Sequence, residues 1–81
     1  MDGEVYKINE NGERVDDFPN WRGGFLPDST EDSLWMCIED KNRNQIQIEQ
    51  GTRIRYCSDC TSQDYIIKDV HTPGIYNVQR L

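Results

Sequence analysis

The sequence has little of what a catalytic site needs. It contains one histidine, three cysteines and no glycine-rich phosphate loop followed by lysine. His71 has no motif-placed serine or cysteine beside it, so a nucleophile–base pair is not predicted. Acid–base catalysis by carboxylates needs two of them in contrasting environments within a cleft, which a chain of 81 residues rarely builds. We therefore expect a protein that is not an enzyme.

Long apolar runs are also lacking. No segment approaches the ~18 consecutive apolar residues of a membrane span, and the opening residues MDGEVYK show no basic-then-apolar signal pattern. An odd number of cysteines is unusual for a small secreted domain, which normally pairs an even set. These absences predict no membrane association and a cytoplasmic location.

What the sequence does contain is short apolar alternation of the β kind. Period-two patterns or short apolar runs occur at 4–8, 33–39, 45–50, 52–57, 64–70 and 75–81, and Asn11-Gly12 is a strong hairpin signal that returns through 13–15. We predict a single mainly β domain over residues 1–81, with six or seven short strands. An antiparallel barrel or curled sheet, SH3-like or OB-like, fits this pattern because closure removes exposed sheet edges.

Residues 16–33 look different from the rest of the chain. Pro19, Gly23, Gly24 and Pro27 interrupt regular structure, while the aromatic residues between them are too apolar for an idle linker. The stretch Ser29-Thr30-Glu31-Asp32 resembles a weak capping box. We predict an irregular aromatic and acidic segment with at most one short helical turn.

This segment is the predicted partner-binding site. Residues 1–40 carry eleven acids against three bases, whereas residues 41–81 carry four against six. Acidic side chains around aromatic anchors suit a basic surface on a partner protein. The expected function is that of a small acidic inhibitor or adaptor, of the kind phages and mobile elements encode, whose target surface in some cases binds nucleic acid. The predicted contact residues are Asp16, Asp17, Phe18, Trp21, Arg22, Phe25, Asp28, Glu31, Asp32 and Trp35. The alternative is that the aromatic residues plug the barrel.

A second hypothesis is a single-stranded nucleic-acid binder. Small barrels bind single strands through a basic groove and stacking aromatics. The candidate residues are Lys41, Arg43, Arg53, Arg55, Tyr56 and Tyr65. The net charge of -6 opposes phosphate binding, and cross-strand ion pairing is a simpler role for Arg53 and Arg55.

A third hypothesis is a zinc-stapled structural domain. Cys57 and Cys60 have the C-x₂-C spacing of a zinc ligand pair, and Cys37 with His71 completes a possible Cys₃His set. Against this, Cys37 lies in an apolar strand like an ordinary buried thiol, and His71 stands beside a Pro-Gly turn. Redox catalysis by the pair is not expected, because the carboxylate of Asp59 disfavours a thiolate. No other cofactor is expected.

Overall fold

The computed structural model of the chain describes residues 3–15, 20–59 and 61–81. It contains six strands: β1 (Gly3–Ile8), β2 (Trp21–Phe25), β3 (Leu34–Glu39), β4 (Arg53–Ser58), β5 (Thr61–Thr72) and β6 (Ile75–Arg80). The prediction of a mainly β chain with six or seven short strands is confirmed. The described residues contain no helix, and hence none that could cross a membrane.

The six strands form a closed antiparallel barrel. Their order around the barrel is β1-β2-β3-β6-β5-β4, and β4 pairs back with β1. The consecutive strands β1, β2 and β3, with β4 beside β1, make a Greek key. Closure pairs each strand on both sides, which removes the exposed edges that an open sheet would present. Of the two sheet forms expected, the barrel is confirmed.

The barrel interior is filled by alternate residues of the strands. In β3, Met36 and Ile38 are fully buried, while Cys37 between them lies on the outer face and is half-buried. The largest fully buried side chains are Tyr76, Met36, Ile38, Ile54, Ile67 and Val5. Burying one such side chain contributes about 1.5–3 kcal/mol, so this alternation supplies most of the drive to fold.

One end of the barrel, which we call the upper end, lies where β1 and β3 end. There the hydroxyl of the fully buried Tyr76 donates a hydrogen bond to the carbonyl oxygen of Ile46 at 2.7 Å. The same hydroxyl accepts from the backbone N–H groups of Ile48 at 3.1 Å and Gly74 at 3.3 Å. A single side chain thereby fastens the β3–β4 connection, residues 40–52, over the upper end.

The opposite, lower end lies where β2 ends and β3 begins. Phe25 packs edge-on against two tyrosines of the interior, with ring centroids 5.4 Å from Tyr56 and 5.6 Å from Tyr65. Edge-to-face pairs at these distances are the favoured geometry for aromatic rings. The lower end is therefore closed by an aromatic cluster.

Strand β2 corrects the expectation that residues 16–33 are irregular. It includes Gly23 and Gly24, which the sequence predicts to interrupt regular structure, and Gly23 faces the interior. A Cβ at Gly23 would lie 2.7 Å from Val5 Cγ2 and 3.3 Å from the Cys37 carbonyl oxygen. Glycine is needed here because the Val5 side chain and the backbone of β3 occupy the space that a Cβ would take.

The strand predicted at 45–50 is not formed. Only Gln45 forms a bridge, to Glu39, and residues 46–49 have no ladder. Ile48 is nonetheless buried in the core cluster, with Ile46 packed against it. The alternation in the sequence thus indicates which side chains face the barrel interior. The backbone carbonyl of Ile46 and the backbone N–H of Ile48 form hydrogen bonds with the Tyr76 hydroxyl and not with a neighbouring strand.

A compact turn follows β1 at the upper end. The side-chain oxygen of Asn9 accepts hydrogen bonds from the backbone N–H groups of Asn11 at 2.9 Å and Glu13 at 3.0 Å. The Asn9 carbonyl accepts from Gly12, which has a φ of 81°. Asparagine and glycine are the residue types such a turn requires. The hairpin signal at Asn11-Gly12 thus lies in a turn. The segment after the turn pairs with β1 through a single bridge, between Ile8 and Arg14, and not through a full strand.

The turn after β3 repeats this pattern. Asp40 Oδ1 accepts from the backbone N–H groups of Asn42 and Asn44, both at 2.8 Å, and the Asp40 carbonyl accepts from Arg43. The hydrogen bonds from Asn44, and then that from Asn42, hold the pKa of the Asp40 carboxyl below its usual value. Here Arg43 occupies the position that glycine holds in the first turn, with a φ of 67°.

Replacing Arg43 by glycine is expected to stabilise the protein. A left-handed conformation costs a non-glycine residue about 1–2 kcal/mol, and the greater freedom of glycine in the unfolded chain offsets part of the gain. We expect Arg43→Gly to raise the free energy of unfolding by about 0.5–1 kcal/mol, measured by chemical denaturation. Arg43→Ala, which keeps the Cβ, is the control and should give no gain. Equal effects of the two variants would contradict the explanation.

Candidate partner-binding site

The connection between β2 and β3 continues as a short hairpin at the lower end. The backbone N–H of Leu26 donates to the carbonyl of Trp35 at 2.9 Å. The Ser29 hydroxyl donates to the same carbonyl at 2.9 Å and accepts from the Trp35 N–H at 3.0 Å. The hydroxyl of Ser29 thus takes the place of a backbone strand partner, and it anchors the base of the connection.

The tip of this hairpin carries two acids. The backbone N–H of Thr30 donates to the Ser33 carbonyl at 2.9 Å, and the Ser33 N–H donates back to the Thr30 carbonyl at 3.2 Å and its Oγ1 at 3.1 Å. Glu31 and Asp32 are the two residues between. We call residues 28–33 the acidic turn. It is held by backbone, serine and threonine groups, which leaves the carboxylates unused. It contains no helical turn, which agrees with the expectation of at most one.

The carboxylates of the acidic turn face solvent. Asp28, Glu31 and Asp32 are all exposed. Within the part of the chain that the structure describes, none of the three forms an ion pair or a side-chain hydrogen bond. Three unpaired negative charges on an ordered support can attract a positively charged surface.

A cleft of about 920 Å³ lies beside the acidic turn. Glu31 and Asp32 line it from the β2–β3 connection, and Lys68 and Arg80 line it from β5 and β6. Its remaining lining is Ser29, Thr30, Leu34, Asn77, Val78 and Gln79. Asn77 joins the two sides of the cleft, because its Nδ2 donates to the Leu34 carbonyl at 3.1 Å.

Two of the aromatic residues predicted for the site, Trp21 and Phe25, pack with the barrel core. Trp21 is only 7% exposed and belongs to the core cluster, and Phe25 packs against that cluster. These two side chains therefore serve the barrel, as the alternative explanation held. The predicted contacts Asp16, Asp17 and Phe18 lie outside the described residues.

Trp35 is half-buried on the outer face of β3, directly after the acidic turn. Its indole Nε1 donates to the Ser33 hydroxyl at 3.0 Å. Its ring meets that of the exposed His71 edge-on, with centroids 5.7 Å apart. Trp35 thus braces the acidic turn against β5, and only part of its surface is available to a partner.

Arg22, the remaining predicted contact, stands in a row of alternating charge. In the barrel it lies opposite Glu4 on β1 and opposite Glu39 on β3. Opposite charges directly across strands stabilise a sheet by a few tenths of a kcal/mol to ~1 kcal/mol. Arg22 is half-buried and lies on the barrel wall, away from the acidic turn.

The aromatic part of the predicted nucleic-acid face is not assembled. Tyr56 and Tyr65 are 9% and 3% exposed and lie in the core cluster, so their rings are not free to stack on bases. Lys41 and Arg43 are exposed in the turn after β3, and Arg53 and Arg55 lie on the outer face of β4.

Arg55 is engaged within the protein. Its Nε and Nη2 donate to the two carboxylate oxygens of Asp64 at 2.6 and 3.1 Å, and Nη2 also donates to the Gly12 carbonyl at 2.8 Å. The hydrogen bonds to Asp64, and then to Tyr6, raise the pKa of the guanidinium further above its ordinary value. Arg14 lies over the Tyr6 ring at 4.9 Å from the centroid. This network fastens the turn after β1 to the barrel wall, which is the cross-strand role considered for Arg55.

The barrel separates Cys37 from Cys57, two of the residues considered as zinc ligands. Cys37 lies on β3 and Cys57 on β4, which stand on opposite sides of the ring of six strands. His71 is near the end of β5 and packs on Trp35, while Cys60 lies outside the described residues. Among residues 3–15, 20–59 and 61–81, no three histidine, cysteine or acidic side chains are grouped so as to hold a metal ion.

The basic residues of the cleft were not predictable from the sequence. Lys68 and Arg80 lie on β5 and β6, far along the chain from the acidic turn, and no local pattern connects them to it. The barrel order brings β6 beside β3, and this closure alone creates the cleft. Comparisons with protein-family models, curated proteins and solved structures returned no match.

Proposed function

We propose that this protein is a non-enzymatic binding module that occupies a basic surface of a partner protein through its acidic turn. The observation that carries the proposal is the ordered presentation of Glu31 and Asp32. Both are exposed and without an ion-pair partner in the described chain, on a turn closed by hydrogen bonds between Thr30 and Ser33.

The physical advantage of this arrangement is pre-organisation. Binding through a mobile loop loses conformational entropy, whereas a turn already held by hydrogen bonds loses much less. The net charge of -6 adds long-range attraction for a basic target and accelerates its encounter. These properties fit a cytoplasmic inhibitor or adaptor of the kind that phages and mobile elements encode. Its target would be a basic surface, which in some target proteins binds nucleic acid.

Charge reversal at the turn tests the proposal. The immobilised wild-type protein should capture a specific basic partner from a lysate of the organism that encodes it. The variant Glu31→Lys/Asp32→Lys should lose at least about tenfold in affinity for that partner, since two attractive interactions become repulsive. Affinity is then measured with the purified partner by calorimetry, at low and physiological salt.

The matched control is Glu10→Lys/Glu13→Lys. It makes the same charge change on two exposed acids in the turn after β1, at the opposite end of the barrel. Retained binding by this control, with loss in the first variant, locates the contact at the acidic turn. An equal loss of affinity in both variants would mean that binding depends only on the net charge, and it would contradict the proposed site.

A further inference from the structure

The cleft beside the acidic turn carries charges of both signs. Lys68 and Arg80 are exposed, and neither forms an ion pair or side-chain hydrogen bond within the described residues. The acids across the cleft, Glu31 and Asp32, are also unpaired there. Opposite charges thus line one cleft without neutralising each other.

A β-bulge sets the position of Lys68. In the pairing of β5 with β6, Ile67 lies opposite Val78 and Asp69 lies opposite Asn77, although Val78 and Asn77 are consecutive. Lys68 is therefore the extra residue, with no partner on β6. Bulges of this kind redirect a side chain and occur often beside functional sites. Here the bulged residue lines the cleft.

A uniformly basic surface does not match this cleft. It would be attracted to Glu31 and Asp32 but repelled by Lys68 and Arg80, and like charges brought together at an interface select against a partner. The complementary ligand carries a positive group for one side and a negative group for the other. The cleft volume of about 920 Å³ lies within the range of ~300–1,000 Å³ usual for ligand sites, so the ligand is a short segment.

We propose that the cleft binds an extended peptide segment of the partner that carries a basic and an acidic side chain a few residues apart. The basic side chain pairs with Glu31 and Asp32, and the acidic one pairs with Lys68 and Arg80. This inference rests on the proposed function of the acidic turn and adds the charge pattern of the segment that the turn recognises.

The test uses acetylated and amidated peptides that differ at two positions only. GRAAEAG and GEAARAG carry mixed charge, GRAARAG is basic and GQAAQAG is neutral. Binding is followed by amide NMR shifts of Thr30, Leu34 and Val78 in the intact protein. We expect one of the mixed-charge peptides to bind about threefold to tenfold more tightly than GRAARAG. The reason is that its glutamate forms an ion pair with Lys68 and Arg80, whereas the second arginine of GRAARAG is repelled by them.

Variants separate the cleft from general electrostatics. Lys68→Glu/Arg80→Glu should reverse the preference, so that GRAARAG binds more tightly than either mixed-charge peptide. Lys41→Glu/Arg43→Glu makes the same charge change in the turn after β3 and should leave the preference as it is. Amide shift dispersion confirms that each variant is folded.

Two outcomes would overturn the inference. If wild-type protein binds GRAARAG as tightly as the mixed-charge peptides, the acidic turn alone selects the ligand, and the proposed function stands without the charge pattern. If no peptide shifts the cleft amides, the cleft is not a peptide site, while the proposed function is decided separately by partner capture with the Glu31→Lys/Asp32→Lys variant.

Discussion

Tyr76→Phe is expected to lower the free energy of unfolding by about 2–4 kcal/mol. The substitution removes one oxygen atom and leaves the ring in place. That oxygen serves three backbone groups, the Ile46 carbonyl and the N–H groups of Ile48 and Gly74, in a residue with no exposed surface. A buried backbone group that loses its partner costs about 1–3 kcal/mol, and part of this is recovered where water reaches the group. The loss is large for a domain of this size.

Tyr65→Phe is the matched control. Tyr65 is also buried, but its hydroxyl makes no hydrogen bond within the described chain. Its replacement should change stability by less than about 0.5 kcal/mol. Chemical denaturation gives the stabilities, and amide hydrogen exchange at Ile48 should accelerate in Tyr76→Phe. A small, equal effect of both substitutions would show that Tyr76 does not hold the β3–β4 connection.

The second large effect is expected at Gly23. Adding one methyl group, in Gly23→Ala, places a carbon 2.7 Å from Val5 Cγ2, which is too close for van der Waals contact. Val5 is fully buried and short, so it has no free rotation that relieves the clash. Overpacking of this kind costs about 1–3 kcal/mol and exceeds the ~0.5–1 kcal/mol that alanine ordinarily gains over glycine within a strand. We therefore expect a net loss of stability.

A double-mutant cycle tests the stated cause. In a Val5→Ala background the clashing methyl group is gone, so Gly23→Ala should cost little or nothing there, a coupling of at least about 1 kcal/mol. Gly24→Ala provides the control, because Gly24 alternates with Gly23 along the same strand and lines a depression of the outer surface. If Gly23→Ala costs the same with and without the Val5 side chain, contact with Val5 is not the reason for glycine.

Strands with a clear period-two pattern were predictable from sequence. In β4 the alternation of apolar and charged residues matches the buried and half-buried faces, since Ile54 is interior and Arg53 and Arg55 are on the wall. β2 was not predictable, because glycine has no side chain to contribute to a pattern. The close approach of Gly23 to Val5 becomes visible only once β1 and β2 are paired.

The candidate site was predictable in part. Exposed carboxylates at Asp28, Glu31 and Asp32 follow from a run of polar and acidic residues between apolar ones. Whether Trp21 and Phe25 face a partner or the interior did not follow, because an aromatic residue has the same composition signal in both places. The basic side of the cleft depends on the pairing of β3 with β6, and nothing in a single sequence specifies that pairing.

The two closing pairs of the barrel also govern how the chain folds. The hairpins β4–β5 and β5–β6 join neighbouring strands, whereas β1–β4 and β3–β6 join strands distant in sequence. Distant pairs form only after a long loop has lost its freedom, which slows folding of β barrels to milliseconds or seconds. Until β4 reaches β1, the nascent sheet keeps unpaired edges that other chains can join. The β3–β6 pairing that creates the cleft is thus expected to be one of the two slow, aggregation-exposed steps of assembly.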